Sequence, residues 1–429
     1  MSSQARSIPS SRIKRTFLNR DLGLLLASIG VQLVLGLFFG HAYDIKIFMA
    51  TGYLVATGQD PYILPDLRTV FNNPAFIGLT SIGYPPPWPL ILGLIYLLTY
   101  APTHSFLLYN LAIKIPIIIA NLCLAYLVRD ILETQGANAG LSRKAWLFLL
   151  FNPFLFYFTT AWGQFDSLVA LLTLASLVLL NKGRLGPSAI LLALAISLKP
   201  TPMPVVLAAI VYLWETPWRR MVRYLFTFSI SMLAFCVLPF FIFGWDATPI
   251  LHGWNTQFTV SGGMALTTLY ELTAGTYVLP GWWWLLGVLW LPAILVGSFF
   301  MQRGEHGLTN LLKNSLALIL IFFLTRTWLS EQNLALILPI VLILVCLGEL
   351  PRLTFYAVWI LPLIFTIFNT SPAQLLFTIR PDVMAKLLQW AEIVRTPRLW
   401  ARMLIVIPWQ VAGWWMVVCA YRKGPPASV

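Results

Sequence analysis

Apolar runs of membrane-spanning length, separated by short polar connections, fill nearly the whole chain of 429 residues. Hydrophobic residues make up 59% of the sequence and charged residues only 10%, whereas a soluble protein carries about 25% charged residues. Inside a bilayer only helices and closed barrels satisfy their backbone hydrogen bonds, and runs of about 20 apolar residues are typical of helices. The sequence therefore predicts an all-α, polytopic membrane protein without a sizeable water-soluble domain.

The distribution of Lys and Arg decides how many of these runs cross the membrane. If all of them crossed, the basic loops at residues 129–144 and 219–223 would face outward, against the usual excess of Lys and Arg in cytoplasmic loops. The run at residues 87–100 is short and begins with prolines, and a half-embedded helix there returns these loops to the cytoplasm. We therefore predict about 12 transmembrane helices, with residues 1–21 as a cytoplasmic N-terminus.

A large first outer loop, residues 41–104, follows from this topology. Besides the half-embedded helix, it has apolar residues at the helical spacing that predicts an amphipathic helix on the membrane surface: Ile45, Phe48, Met49, Tyr53 and Ala56. No clear repeat or low-complexity tract divides the chain. Residues 1–429 are therefore interpreted as one membrane-embedded domain.

Several classes of function are disfavoured by what the sequence contains. The net charge of +13 does not indicate nucleic-acid binding, because the basic residues are scattered through the loops, where topology and anionic lipid headgroups explain them. The four cysteines lie in apolar runs and have no metal or disulfide spacing. The chain also lacks a phosphate-binding glycine loop, a zinc signature and a serine nucleophile elbow. No cofactor is indicated, although a divalent metal is compatible with the sequence.

Two carboxylates stand at the ends of apolar runs on the predicted outer face. Asp44 follows the first run, where it is either an interfacial residue that ends a helix or a catalytic base with access to water. Asp166 ends the turn Trp162-Gly163-Gln164-Phe165-Asp166, where it either caps the next helix or joins a hydrogen-bonding cluster. Because both face the same side, we interpret Asp44 and Asp166 as catalytic residues and Gln164 as a substrate-binding residue.

Two cations are candidates for binding a phosphate. Lys199 is followed by Pro200-Thr201-Pro202-Met203-Pro204, which predicts a broken helix at membrane depth, and a lysine there either extends to the surface or binds an anion. Arg326 has the planar guanidinium that suits phosphate. Glu331, in the same short loop, is either the ion-pair partner of Arg326 or a ligand for substrate hydroxyls.

Two further residues are weaker candidates for substrate binding. Tyr84 closes the first outer loop, immediately before Pro85-Pro86-Pro87. His252 has aromatic neighbours in a second long outer loop, where the alternative is an ordinary packed loop residue.

From Asp44 to Lys199 the pattern resembles the GT-C superfamily of integral-membrane glycosyltransferases. Its members have a large first outer loop that begins with a catalytic acid, in several of them a Pro-Pro element on a half-embedded helix, and a second acid in the next outer loop. Asp44, Tyr84-Pro85-Pro86-Pro87 and Asp166 stand in these places in order. Residues 43–62 and 84–90 look like the polyprenyl-phosphate-mannose-dependent families, including glycosyltransferase family 87, and residues 152–200 resemble bacterial relatives of GPI mannosyltransferase II.

The resemblance implies a transferase. Its first candidate activity is that of a mannosyltransferase that makes cell-envelope glycolipids. Its donor would be a polyprenyl-phosphate sugar with the tail in the bilayer and the phosphate at the outer surface, bound by Lys199 and Arg326. Asp44 would take the proton from a hydroxyl of a glycolipid or glycan acceptor, and transfer would invert the anomeric centre. Tyr43-Asp44-Ile45-Lys46 has one acid in place of a paired Asp-x-Asp or Glu-x-Asp motif, and no metal is implied.

Two alternatives from other classes stay open. A transporter or flippase of a lipid-linked sugar would use the same cations and a broken helix, but it should show inverted repeats between its halves, which the sequence does not show. A non-catalytic scaffold subunit would not need Asp44, Asp166 and Lys199 to approach a common cavity. The arrangement of these three side chains therefore bears on the choice.

Overall fold

The computed structural model describes residues 10–256, 258–301, 303–304, 307–380, 390 and 393–422. Helices form most of this part of the chain, and its one sheet is a parallel pair of two-residue strands, β1 (Gly262–Gly263) and β2 (Trp328–Leu329). The predicted all-α fold class is confirmed in this coarse sense. The interpretation of the whole chain as one domain stays a prediction.

The helices of the first half of the chain are α1 (Ser10–Phe38), α2 (Asp44–Ala56), α3 (Arg68–Phe71), α4 (Pro87–Leu98), α5 (Tyr100–Thr103), α6 (Phe106–Thr134), α7 (Ala139–Leu150), α8 (Pro153–Leu155), α9 (Asp166–Asn181), α10 (Leu185–Leu198) and α11 (Pro204–Leu213). Those that follow are α12 (Trp218–Met232), α13 (Leu238–Phe243), α14 (Thr248–Thr256), α15 (Thr268–Ala274), α16 (Trp284–Val288), α17 (Trp290–Phe299), α18 (Gly307–Thr325), α19 (Leu338–Cys346), α20 (Arg352–Asn369) and α21 (Arg395–Tyr421). Two π-helices (Phe156–Ala161 and Leu233–Val237) and three 3₁₀ turns (Gly281–Trp283, Glu331–Leu336 and Pro372–Leu375) complete the helical segments.

Seven helices of the described chain are long and apolar enough to cross a membrane, and a bent pair (Ala139–Ala161 with Asp166–Asn181) would make eight. The predicted count of about 12 is therefore not confirmed. Three of the expected crossings are short apolar helices instead: Leu185–Leu198, Pro204–Leu213 and Glu331–Cys346. Helix α1 also begins at Ser10, well before the apolar run at residues 22–40, since Arg and Lys are good helix formers.

The first loop contains both predicted helices. Helix α4 has 12 residues, so it is about 18 Å long and too short to cross a hydrocarbon core of about 30 Å. Proline fits the first turn of a helix, which explains why α4 begins within Pro85-Pro86-Pro87. Helix α2 forms where predicted, but its environment differs from the prediction. Its apolar residues are buried by protein, mainly by α4, and do not lie on a lipid surface.

A late segment of the chain closes over the start of this loop. Gly40 N donates to Leu375 O at 2.8 Å and Ala42 N donates to Gln374 O at 3.2 Å, so the turn at Pro372–Leu375 runs beside the residues that precede α2. Thr378 Oγ1 also donates to Phe38 O. The end of α1, the start of α2 and the connection after α20 therefore meet at one end of the helices.

Candidate active site

Asp44 is the first residue of α2, and one of its two carboxylate oxygens is held by three side chains. Oδ2 accepts hydrogen bonds from Trp162 Nε1 and from Gln164 Nε2 (2.9 Å), and His41 Nδ1 lies 3.3 Å from the same atom. Within the described chain Oδ1 has no such donor, and the side chain keeps 19% of its surface exposed. The carboxylate is therefore fixed in direction but has one oxygen available to another molecule.

The electrostatic surroundings keep Asp44 ionised. Burial raises the pKa of its carboxyl, but the interactions with His41, Trp162 and Gln164 outweigh burial and bring the pKa below its ordinary value. Hydrogen bonds to the charged form of a carboxyl always act in this direction. His41 is itself held by stacking on Trp162, with ring centroids 3.8 Å apart. Asp44 is thus a carboxylate at neutral pH.

The turn that presents Trp162 and Gln164 depends on a glycine. The chain bends by 115° between Ala139–Ala161 and α9, and Gly163 at the bend has φ +99°, a conformation that L residues rarely adopt. A Cβ on Gly163 would lie 2.8 Å from Ile45 Cδ1 and 3.2 Å from Lys114 Cε. Glycine therefore permits both the turn and its close approach to α2.

Gly163→Ala is expected to lower the free energy of unfolding by more than about 1 kcal/mol, because alanine is strained at this φ and collides with Ile45. Sugar transfer should also fall, since Trp162 and Gln164 move away from Asp44. Thermal unfolding and a transfer assay measure the two effects. Gly186→Ala in α10 is the control, because a Cβ there meets nothing within 4 Å. Equal behaviour of the two variants would contradict this role of Gly163.

Asp166 and Lys199 form a buried ion pair. Lys199 Nζ lies 2.8 Å from both carboxylate oxygens of Asp166, and both side chains are less than a tenth exposed. Helix α10 ends at Leu198 and α11 begins at Pro204, so the predicted helix break is confirmed and it points Lys199 at the first turn of α9. The capping alternative for Asp166 is wrong: Phe165 is the N-cap and no side chain caps the helix.

The ring of Tyr84 packs beside the Asp166–Lys199 pair. Lys199 Nζ lies 5.6 Å from the centroid of the Tyr84 ring, and the ring meets Phe165 edge-on at 4.9 Å. Burial raises the pKa of Tyr84, and the charges of Asp44 and Asp166 raise it further, so its hydroxyl stays protonated. The structure therefore brings together five of the predicted residues: Asp44, Tyr84, Gln164, Asp166 and Lys199.

Arg326 stands just beyond the end of α18 and makes a cation–π contact, with Cζ 4.8 Å from the centroid of the Phe322 ring. It forms no hydrogen bond or ion pair with any described residue. Burial lowers the pKa of Arg326 to about 10, so it is still a cation at neutral pH. No described contact joins it to Lys199 or Asp44.

Glu331 does not neutralise Arg326, so the salt-bridge alternative is wrong for the described chain. The carboxylate is 3% exposed, and its Oε1 accepts a hydrogen bond from Asn369 Nδ2 at 2.7 Å. Asn369 ends α20, and the turn that follows it at Pro372–Leu375 accepts hydrogen bonds from Gly40 N and Ala42 N. Glu331 is therefore joined through Asn369 to the segment that covers the start of α2.

His252 lies outside this group. It is exposed on α14, and no described contact joins it to the other candidate residues. Helix α14 nevertheless touches the first loop, because Trp254 Nε1 donates to Gly83 O at 3.1 Å. A role of His252 in substrate binding stays a prediction.

Lys114 and Asn110 of α6 hold the backbone of the centre in place. The buried ammonium of Lys114 donates to Gly36 O at 3.2 Å, to Phe39 O and to Ala161 O at 3.1 Å. Asn110 Nδ2 donates to the same end of α1. These contacts join the backbone just before His41 to the backbone just before Trp162. The sequence signal for this support is a Lys and an Asn one turn apart on an otherwise apolar helix.

The geometry of the acidic, His and Cys side chains bears on metal binding. Among the described residues, no group of three or more His, Cys, Asp and Glu side chains is placed to hold a metal ion. The expectation that no metal takes part stays a prediction.

The long apolar helices identify a helical membrane protein. The ionised carboxylate of Asp44 and the buried Asp166–Lys199 pair give it a candidate catalytic centre. The model of glycosyltransferase family 87 matches residues 83–347, more than half of the chain, and the chain belongs to this family of membrane glycosyltransferases. The resemblance found in the sequence is thereby confirmed. The match includes Asp166, Lys199 and Arg326 and begins after Asp44. A comparison with curated proteins found no match.

Proposed function

We propose that this membrane glycosyltransferase moves a sugar, with mannose the first candidate, from a polyprenyl-phosphate donor to an acceptor hydroxyl, and that Asp44 is the base. The observation that supports it most is the asymmetry of the Asp44 carboxylate. Oδ2 accepts hydrogen bonds from Trp162 and Gln164 and lies 3.3 Å from His41 Nδ1, whereas Oδ1 has no donor within the described chain. A base must be oriented and still offer a lone pair, and this arrangement supplies both.

The proposed reaction is a single displacement. The acceptor hydroxyl passes its proton to Asp44 Oδ1 as its oxygen bonds to the anomeric carbon. The bond from that carbon to the phosphate oxygen breaks, and polyprenyl phosphate leaves with the electron pair, so the anomeric centre is inverted. A phosphate needs no acid to leave. The lowered pKa of Asp44 makes it a weak but ionised base, which suits a hydroxyl that becomes acidic only as its oxygen bonds to the anomeric carbon.

The donor phosphate requires positive charge, and the two candidate cations differ in how much they offer. The charge of Lys199 is already balanced by Asp166, whereas Arg326 has no acidic partner among the described residues. We therefore assign Arg326 as the principal phosphate ligand. Lys199 and Asp166 would act as a pair that orients the sugar beneath Tyr84, with Gln164 beside Asp44.

The proposal places the centre on the outer face of a multi-pass protein in the cytoplasmic membrane. The charge distribution of the sequence supports this side, because it leaves most basic loops inside. The contacts of Asp44 with Gln164 and of Lys199 with Asp166 and Tyr84 count against a scaffold subunit, which would not need them. Membership of a glycosyltransferase family counts against a flippase.

The test is transfer by purified protein in lipid nanodiscs, supplied with polyprenyl phosphates that carry mannose, glucose, galactose or arabinose, one at a time. We expect one polyprenyl-phosphate sugar to be consumed and the matching nucleotide sugar to be inert. Chelation of divalent metals should leave the rate unchanged. Use of nucleotide sugars alone would reject the proposed donor.

A further inference from the structure

A cleft lined by charged and aromatic side chains lies where the β1–β2 pair meets the end of α20 and the first turns of α21. It has a volume of about 210 Å³, and its lining includes Glu271, Tyr277, Trp328, Glu331, Asn369 and Arg402. Neither the family match nor the proposed reaction assigns a ligand to this cleft.

Arg402 has an unused hydrogen-bond donor in this cleft. Its side chain is 9% exposed, and Nη1 and Nη2 lie 3.5 and 3.0 Å from the carboxylate of Glu271. Its Nε is buried and has no hydrogen-bond partner among the described residues. A buried donor that belongs to a charged group is nearly always paired in a native protein. An acceptor atom of a bound ligand would satisfy it.

The charges of the cleft select the ligand. Two carboxyl groups, those of Glu271 and Glu331, and one guanidinium, that of Arg402, line the cleft, whereas the nearby guanidiniums of Arg395 and Arg398 donate to backbone carbonyls. A phosphate in the cleft would therefore meet two acidic side chains, which disfavours an anionic ligand. Hydroxyl groups suit the cleft, because each can donate to a carboxylate and accept from Arg402. Trp328 and Tyr277 add flat apolar surfaces, which match the C–H face of a sugar ring.

The cleft adjoins the proposed base. Asn369, which lines the cleft and donates to Glu331, ends α20, and the turn that follows it at Pro372–Leu375 accepts hydrogen bonds from Gly40 N and Ala42 N. His41 lies between these two residues in the chain, and its Nδ1 is 3.3 Å from Asp44 Oδ2. We infer that the cleft is the acceptor subsite and binds a neutral hexosyl unit, which excludes a phosphorylated headgroup as the group that receives the sugar. This inference rests on the proposed function, and it names the chemical class of the acceptor.

Binding is tested without donor, so that the result does not depend on turnover. Methyl glycosides of mannose, glucose and galactose, with glycerol 1-phosphate as the anionic probe, are titrated into the full chain in nanodiscs and followed by saturation-transfer NMR. At least one methyl glycoside should bind, and glycerol 1-phosphate should not compete with it. Binding of glycerol 1-phosphate in place of every glycoside would overturn the inference.

Arg402→Lys removes the Nε donor and keeps a cation for Glu271, and we expect it to weaken glycoside binding about 10- to 100-fold, the range for one charge-assisted hydrogen bond. Arg129→Lys is the control, because Arg129 is also ion-paired, with Asp21 and Glu133, but lies away from the cleft. Tyr277→Leu is a second test that does not threaten the fold, since Tyr277 is 55% exposed. It should weaken binding several-fold.

Steady-state kinetics separate this inference from the proposed function. Both cleft variants should raise KM for the acceptor and leave KM for the donor unchanged. A raised donor KM with an unchanged acceptor KM would assign the cleft to the donor sugar and overturn the inference, while the role of Asp44 stands. Normal glycoside binding by a protein that transfers from no polyprenyl-phosphate sugar would instead reject the proposed function alone.

Discussion

Asp44→Asn is expected to lower the rate of sugar transfer about 10²- to 10⁴-fold, the usual contribution of a general base, while the protein stays folded. Asparagine has nearly the same shape, and its side-chain oxygen can still accept from Trp162 Nε1 and Gln164 Nε2. What it lacks is a second basic oxygen in the place of Oδ1. The measurement is single-turnover transfer with thermal unfolding of the same sample.

The control for this variant is Asp60→Asn. Asp60 belongs to the same loop, and its carboxylate accepts the backbone N–H groups of Tyr62 and Asp246 at 2.8 and 2.6 Å. This change should leave transfer near the wild-type rate. The wild-type rate should also stay level through the neutral range and fall only in acid, below the ordinary pKa of an aspartate, because interactions with His41, Trp162 and Gln164 outweigh burial and lower the pKa of Asp44. Near-normal transfer by Asp44→Asn would reject the base.

Lys199→Met is expected to lower the free energy of unfolding by about 3–5 kcal/mol, because it leaves the buried carboxylate of Asp166 without its partner. Asp166→Asn should destabilise in the same way through the unpaired ammonium of Lys199. The double variant Asp166→Asn/Lys199→Met removes both charges and should be more stable than either single variant. Thermal unfolding of the four proteins in one lipid measures the coupling.

The exposed pair of Asp66 and Arg68 is the control for this cycle. Its two side chains are about half exposed, and solvent screens such pairs, so Asp66→Asn should hardly change the unfolding temperature. If the losses of unfolding free energy in the two single variants added up to the loss in the double variant, the Lys199–Asp166 pair would not contribute to stability as a pair. The double variant also allows donor KM to be measured without a buried unpaired charge.

Much of the framework follows from properties that a sequence displays directly. Proline runs predicted both the short helix α4 and the break after Lys199, and polar residues stranded between apolar runs predicted that Asp44 and Gln164 belong to one site. The transmembrane count did not follow, because hydropathy cannot distinguish a crossing from short helices such as α10 and α11.

The partners of the charged side chains could not be predicted from the sequence, because folding brings together residues that are far apart in the chain. Lys199 was expected to bind phosphate, but its nearest anion is Asp166, which lies 33 residues earlier and is brought to it by the packing of α9 on α10 around the turn at Gly183. The contacts of Lys114 could not be predicted because its partners are backbone carbonyls, which leave no trace in residue identity. Glu331 and Arg326 were paired by proximity in the chain, whereas folding gives Glu331 to Asn369.

The backbone contacts between the start of α2 and the connection after α20 have a consequence for biogenesis. Thr378 and Phe38 are 340 residues apart in the chain, and a ribosome that adds about 5–20 residues per second needs roughly 20–70 s to span them. Throughout that interval the residues just before Asp44 lack the segment that covers them. A nascent or truncated chain that ends before Pro372 therefore carries Asp44, Asp166 and Lys199 without this support, and catalytic competence should arise only after the segment at residues 372–378 has been made.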